Sequence, residues 1–241
     1  VTDVSPRTGR DSIRWYPTVT VEKYSPDQAA WAQRKLESEL SWGRHLLVEF
    51  LGIRVPRLHG DWLRRVFPGG PEDGYAYDEG NSMVNGGLTN LINLLTGAAP
   101  SGAAGRPLTL ASGGGAAGAP CIGVGIDGAT GFVATQTHLS NAGGEGAGNS
   151  WYQSMDATYP TLTLPATING QSTFAAGNAN FTWLEWCWAS GAGVPTAGPV
   201  LSSVYATGGS AAMLNRKIPA GGLGQKMPGA AWVFATTVVF S

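Results

Sequence analysis

Period-two alternation of apolar and polar positions dominates the second half of the chain. Residues 121–126, 132–135, 151–155, 161–164 and 172–176 each read as short strands. Residues 181–189 predict a single central strand. Phe181, Trp183, Glu185 and Cys187 fall on one side of it; Thr182, Leu184, Trp186 and Trp188 fall on the other. Residues 231–240 carry apolar side chains at both parities, Trp232, Phe234, Thr236, Val238 and Phe240 forming one set. A strand that is apolar on both sides must be covered on both sides. Many short strands separated by turn residues predict a β-sandwich or jelly-roll-like domain.

The first part of the chain follows other rules. Ile13, Trp15, Val19 and Val21 share one parity around Pro17, which restricts this segment to an edge strand or an extended arm. Ser25-Pro26-Asp27-Gln28 is a capping box with proline in the first turn. The helix it starts carries Ala29, Ala32, Leu36 and Leu40 on one stripe, with Gly43 as a break and residues 45–51 as a continuation. Residues 61–67 read as a short helical turn before the breaker Pro68-Gly69-Gly70-Pro71. An acidic stretch, residues 72–79, leads to a second amphipathic helix over 81–97, where Val84, Leu88, Leu91, Ile92 and Leu95 recur at helical spacing. Residues 98–120 are low-complexity Ala, Gly, Ser and Pro. The predicted organisation is a charged, partly helical N-terminal arm, residues 1–80, followed by a Gly-rich β domain, residues 81–241.

Charge sharpens that division. Residues 1–80 hold 11 of the 15 Lys and Arg and 12 of the 16 Asp and Glu, so residues 81–241 hold four of each. A soluble domain keeps apart from its neighbours by a charged surface. A domain this poor in charge either carries a neutral Gly, Ser and Thr surface as a monomer or, the expectation favoured here, is covered by other subunits, as a homo-oligomer (a trimer among the options) or on a larger assembly. The formal net charge of −1 gives no global attraction to nucleic acid or anionic membrane, and no apolar run reaches eighteen residues. The N-terminal residues are polar and lack a signal-peptide core.

Candidate chemistry is sparse. Gly123-Val124-Gly125-Ile126-Asp127-Gly128 matches GxGxxG, but a turn and a strand follow it where a dinucleotide site needs a helix. His45, His59 and His138 form no ligand pair, and Cys121 and Cys187 have no zinc spacing; a disulfide between them and two buried thiols are both open. Asp156 and Glu185 are the one carboxylate pair to weigh for glycoside hydrolysis. Against that, Glu185 has Arg216 or Lys217 for an ion pair. The expectation is a non-enzyme with no catalytic residue, no metal and no cofactor. The tryptophans at 151, 183, 186, 188 and 232 fit core or interface better than a carbohydrate platform. Trp15, Tyr16, Trp31, Trp62, Trp151, Trp186 and Trp188 are the expected interface residues.

A series of motifs adds to this. Asp78-Glu79-Gly80-Asn81 precedes an apolar segment ending Leu94-Leu95-Thr96-Gly97; Ile122-Gly123-Val124-Gly125 and Ala134-Thr135-Gln136-Thr137 follow. Next come the run from Trp151-Tyr152-Gln153-Ser154 to Tyr159-Pro160, then Asn178-Ala179-Asn180-Phe181-Thr182-Trp183, then Leu214-Asn215-Arg216-Lys217 and a Thr-rich closing strand. In this order the motifs resemble a family of virion structural proteins of tailed phages common in actinobacteria. The resemblance implies a non-enzymatic place in the particle. The expected role is a capsid decoration (cement) or minor capsid protein, with the major capsid protein or other virion proteins as partners. The alternative is a tail or fibre-associated protein contacting host surface carbohydrate.

Overall fold

Two five-stranded antiparallel sheets face each other across an aromatic core in the computed structural model, which describes residues 15–44, 58–80, 82–83, 87, 118–133, 136, 139, 149–163, 167–191, 197–198 and 211–240. In chain order the elements are β1 (Trp15–Tyr24), α1 (Pro26–Arg44), α2 (Gly60–Val66), β2 (Tyr75–Glu79), β3 (Ser82–Met83), β4 (Gly118–Gly125), β5 (Ser150–Ser154), β6 (Thr161–Thr163), β7 (Thr167–Phe174), β8 (Thr182–Trp183), β9 (Glu185–Gly191), β10 (Ala197–Gly198), β11 (Ala211–Met213), β12 (Asn215–Arg216), β13 (Gly224–Gln225) and β14 (Ala231–Phe240). The first sheet has the order β2-β1-β14-β7-β6 and the second β10-β5-β4-β9-β11. This is the mainly β, sandwich-like architecture that the alternation predicted.

β14 sits at the centre of the first sheet because both its sides are apolar. Trp232, Phe234 and Val238 enter the core between the sheets, while Ala231 and Val233 pack under the helices with Tyr24, Ala29, Ala32 and Leu63. β1 pairs with β14 along its whole length, from Trp15 opposite Phe240 to Tyr24 opposite Ala231. It also pairs with β2, so it is an interior strand, not an edge strand or a free arm. Pro17 is tolerated there for a local reason. Its carbonyl accepts from Gly80 N at 2.9 Å, so its missing N–H lies on the β2 side, beyond the last residue of β2, and no bond to β14 is lost. The expected division at residue 80 therefore runs through the first sheet, because β1 and β2 are two of its five strands.

The capping box forms as predicted. Gln28 N donates to Ser25 Oγ and Ser25 N donates to Gln28 Oε1, each at 3.2 Å. Ala29, Ala32 and Leu36 of α1 are buried. The helix continues past the expected break at Gly43 to Arg44; residues 45–51 lie outside the described residues. Ser82–Met83 is a strand paired with β12, so a helix beginning at residue 81 does not hold there; apart from Gly87, residues 84–97 lie outside the described residues. Phe132 and Val133, expected in a strand, are exposed loop.

The predicted strand 181–189 is two strands. The ladder breaks at Leu184, whose N–H turns to Gly125 O at 2.8 Å. That break shifts the alternation, so Trp183, Trp186 and Trp188 all enter the same core although their numbers differ in parity. Trp183 packs against Phe174 at 4.7 Å and Trp232 at 4.8 Å between ring centroids, and Trp186 against Phe234 at 5.4 Å. Tilted and edge-on pairs of this kind each add about 0.5–1.5 kcal/mol beyond burial.

Candidate functional site

The two sandwich faces that point away from the core differ in how they are finished. On the second sheet, Gly125 stands opposite Glu185 and Gly123 opposite Cys187. A Cβ at Gly125 would lie 2.4 Å from Glu185 Oε1, and one at Gly123 would lie 2.6 Å from the Tyr152 ring. These two glycines of the GxGxxG match make room for neighbouring side chains. Asp127 closes the turn after them, its Oδ1 accepting from Ala129 N and Thr130 N at 2.9 Å each.

Glu185 forms the ion pair expected for it. Arg216 Nε donates to Glu185 Oε2 at 2.6 Å, and Arg216 Nη2 lies 3.5 Å from Asp127 Oδ2, with all three side chains fully buried. Arg216 Nη1 also donates to the carbonyls of Thr130 and Gly131, at 2.8 and 3.2 Å, so the guanidinium clamps the 127–131 loop to β9. Lys217 instead reaches Asp78, at 3.8 Å, and Glu79 O, at 2.9 Å.

Asp156 belongs to a different place. It follows β5 and accepts from Gly60 N, Gln171 Nε2, Thr173 N and Thr173 Oγ1 at 2.7–3.2 Å. Burial pushes its carboxyl up from the usual carboxylate range, and these hydrogen bonds hold it back only in part. The arrangement anchors α2 to the first sheet, helped by Arg64, which bonds Glu22 at 2.8 Å and Gln171 at 2.6 Å. Asp156 and Glu185 thus serve opposite sheets on the sides away from the shared core. They do not flank a common cleft as a glycosidase pair must.

Other expected residues resolve as follows. Cys121 and Cys187 are free and buried, and burial raises both thiols. His59 caps α2, its Nδ1 accepting from Trp62 N at 3.3 Å; His45 and His138 lie outside the described residues. Trp186 and Trp188 are buried in the core, which corrects their place among the expected interface residues. Trp62 and Trp151 are half-buried, Trp151 against the core. Tyr16 and Trp31 are exposed, at 49% and 43%, although Trp31 leans on Phe67 at 5.4 Å. Trp15 lies in β1; its side chain is outside the described residues. With Trp183, Trp186, Trp188 and Trp232 all buried, no tryptophan platform forms from them.

The outer side of the first sheet is where a partner can sit. α1 and α2 cover its Tyr24–Ala231 end only. Toward the other end, the strand registers bring Tyr16 opposite Val239, Thr18 opposite Thr237, and Thr20 between Ala235 and Tyr77. A hydrogen-bonded belt crosses four strands here. Thr18 Oγ1 donates to Thr237 O at 3.4 Å, Thr237 Oγ1 to Asn169 Oδ1 at 2.9 Å, and Asn169 Nδ2 to Thr163 Oγ1 at 3.4 Å. Tyr16 and Tyr77 flank the belt, and Glu79, opposite Thr18, is the charged strand residue at its edge. The result is a surface of hydroxyl, amide and phenol groups with Glu79 at its edge. Hydroxyls and amides both donate and accept, so they adapt to a partner at little desolvation cost compared with charges.

No protein-family model, no curated protein and no solved structure matches this chain.

Sequence reasoning missed this surface because it sought tryptophans. The signal was present in the alternate positions. Thr18 and Thr20 interleave with Val19 and Val21, so the parity that buries the valines puts the threonines outside.

One buried cation stands apart. Lys226 is enclosed, with Nζ donating to Ala175 O at 3.0 Å and Asn180 Oδ1 at 2.8 Å. Burial lowers its pKa to about 8. A lysine that loses its proton more easily when folded contributes stability that is complete above its unfolded value and is lost as pH falls through the folded one. Between pH 8 and about 10, denaturant titration should therefore show the parent gaining stability relative to Lys226→Met as pH rises. Parallel curves for the two proteins would show that Lys226 is not the titrating group.

Proposed function

We propose that the chain is a virion structural protein of a tailed phage, a capsid decoration or minor capsid protein, seated on the shell through the open half of the outer side of the first sheet. The observation that carries this reading is the belt of Thr18, Thr237, Asn169 and Thr163 with its flanking tyrosines. It lies on a domain whose residues 81–241 hold only eight charged side chains. A surface that is poor in charge and internally hydrogen-bonded suits permanent contact with another protein better than a solitary life in solvent. The motif order resembling phage virion proteins supplies the kind of assembly. The alternative, a tail or fibre-associated protein contacting host surface carbohydrate, is less favoured, because Trp183, Trp186, Trp188 and Trp232 lie in the core.

Quantitative mass spectrometry of purified particles of the encoding phage tests the assignment. Hundreds of copies per particle are expected for a shell protein. A few dozen or fewer indicate the tail, and absence overturns the virion reading. Thr18→Arg/Thr237→Arg should fold as the parent does, by circular dichroism. Its occupancy of the shell should fall on the order of tenfold or more, equivalent to ~1.4 kcal/mol of lost binding free energy. Unchanged occupancy would remove this surface from the interface.

A further inference from the structure

The free edge of β2 is a second feature whose chemistry points to an occupant. β2 is the terminal strand of the first sheet among the described residues. Gly80 N donates to Pro17 O and Lys23 N to Gly74 O, so the even-numbered residues of this segment turn their backbone groups toward β1. The N–H and C=O of Tyr75 and Tyr77 therefore point away from the sheet. Their rings stack at 6.0 Å and are exposed, at 47% and 71%. Glu72 and Asp73 precede them and Glu79 follows on their face of the sheet, whereas Asp78 turns to the core side, where it accepts from Trp186 Nε1; Lys23 acts on Asp73, and Glu72 and Glu79 keep the edge acidic. An open strand edge with unpaired backbone groups is a template for an added strand.

We propose that this edge receives the N-terminal segment of a second copy of the chain, residues 5–14, as an added β-strand. That segment carries Arg7, Arg10 and Arg14 against Asp11 alone, so three positive and one negative side chain meet an acidic edge. The segment joins the sandwich at Trp15, at the end of the sheet where Thr18 stands opposite Glu79, and its reach is set by roughly 3.3–3.6 Å per extended residue, enough to cross to a neighbour. A chain folding its own segment onto β2 would have to round the Glu79–Gly80 corner. There Lys217 Nζ caps Glu79 O at 2.9 Å, and the chain departs to pair with β12. A segment from another copy has no such corner to pass. This inference is independent of the virion reading, because the exchange would occur in the purified protein.

Sedimentation velocity of the full-length chain across concentration tests it. Three variants separate the terms. Tyr77→Pro removes an outward N–H while sparing the ladder to β1. Arg7→Glu/Arg10→Glu/Arg14→Glu reverses the segment, and Glu72→Arg/Asp73→Arg/Glu79→Arg reverses the edge. The expected result is concentration-dependent association of the parent, weakened on the order of tenfold or more by each variant alone, and regained when the two charge-reversed proteins are mixed. A parent that stays monomeric, or association that survives both Tyr77→Pro and the arginine reversal, overturns the proposal. Either outcome leaves the particle copy number, and with it the virion reading, to be decided separately.

Discussion

Replacing Arg216 by methionine is expected to lower the free energy of unfolding by about 3–5 kcal/mol, a large part of the stability a single domain possesses. The guanidinium is fully buried, 2.6 Å from Glu185 and 3.5 Å from Asp127. Without it, two carboxylates remain in a site closed to water, and the carbonyls of Thr130 and Gly131 lose their donor. An isolated buried charge is far more costly than an unformed pair is beneficial. Glu185→Leu/Arg216→Met should recover part of the deficit, since the carboxylate nearest the guanidinium is then removed with it. Urea titrations of the two variants beside the parent measure both effects. A single variant as stable as the parent would show that the pair is not the clamp on the 127–131 loop.

That ion pair was legible in the sequence because so few charges occur after residue 80 that Glu185 had few partners available. β14 was legible to the residue, since a strand covered on both sides shows as an apolar run with no competing pattern. The capping box was legible because its chemistry is local. Other elements depended on distant contacts. β2 shows in the sequence only as an acidic stretch, because its inward residues are a small one, Ala76, and a charged one, Asp78, and its outward ones are tyrosines and an acid. The break at Leu184 depends on Gly125 O, far away in sequence, and a one-residue shift in alternation exchanges core and surface for everything after it. This is why Trp186 and Trp188 were assigned to an interface and lie in the core. The candidate surface was half legible. Tyr16 was named from its position, whereas Thr18, Thr237 and Asn169 acquire meaning only when β1, β14 and β7 are set side by side.

Trp183→Ala is expected to cost about 3–5 kcal/mol, the range for removing a large buried aromatic. Trp183 is fully buried, its ring touches Phe174 and Trp232, and its Nε1 donates to Ala179 O at 2.9 Å. The cavity would open behind β14, whose other side carries Ala235, Thr237 and Val239 of the candidate surface. A core position thus bears on a surface function through one strand. Trp183→Ala should lower both the melting temperature and the occupancy of the shell, and Trp183→Phe should lower each less. Thr18→Arg/Thr237→Arg should lower occupancy alone. Thermal denaturation and particle composition, read on the same three variants, separate the loss of a platform from the loss of a contact. If Trp183→Ala were well folded and as stable as the parent, the two sheets would not be held together by this aromatic cluster.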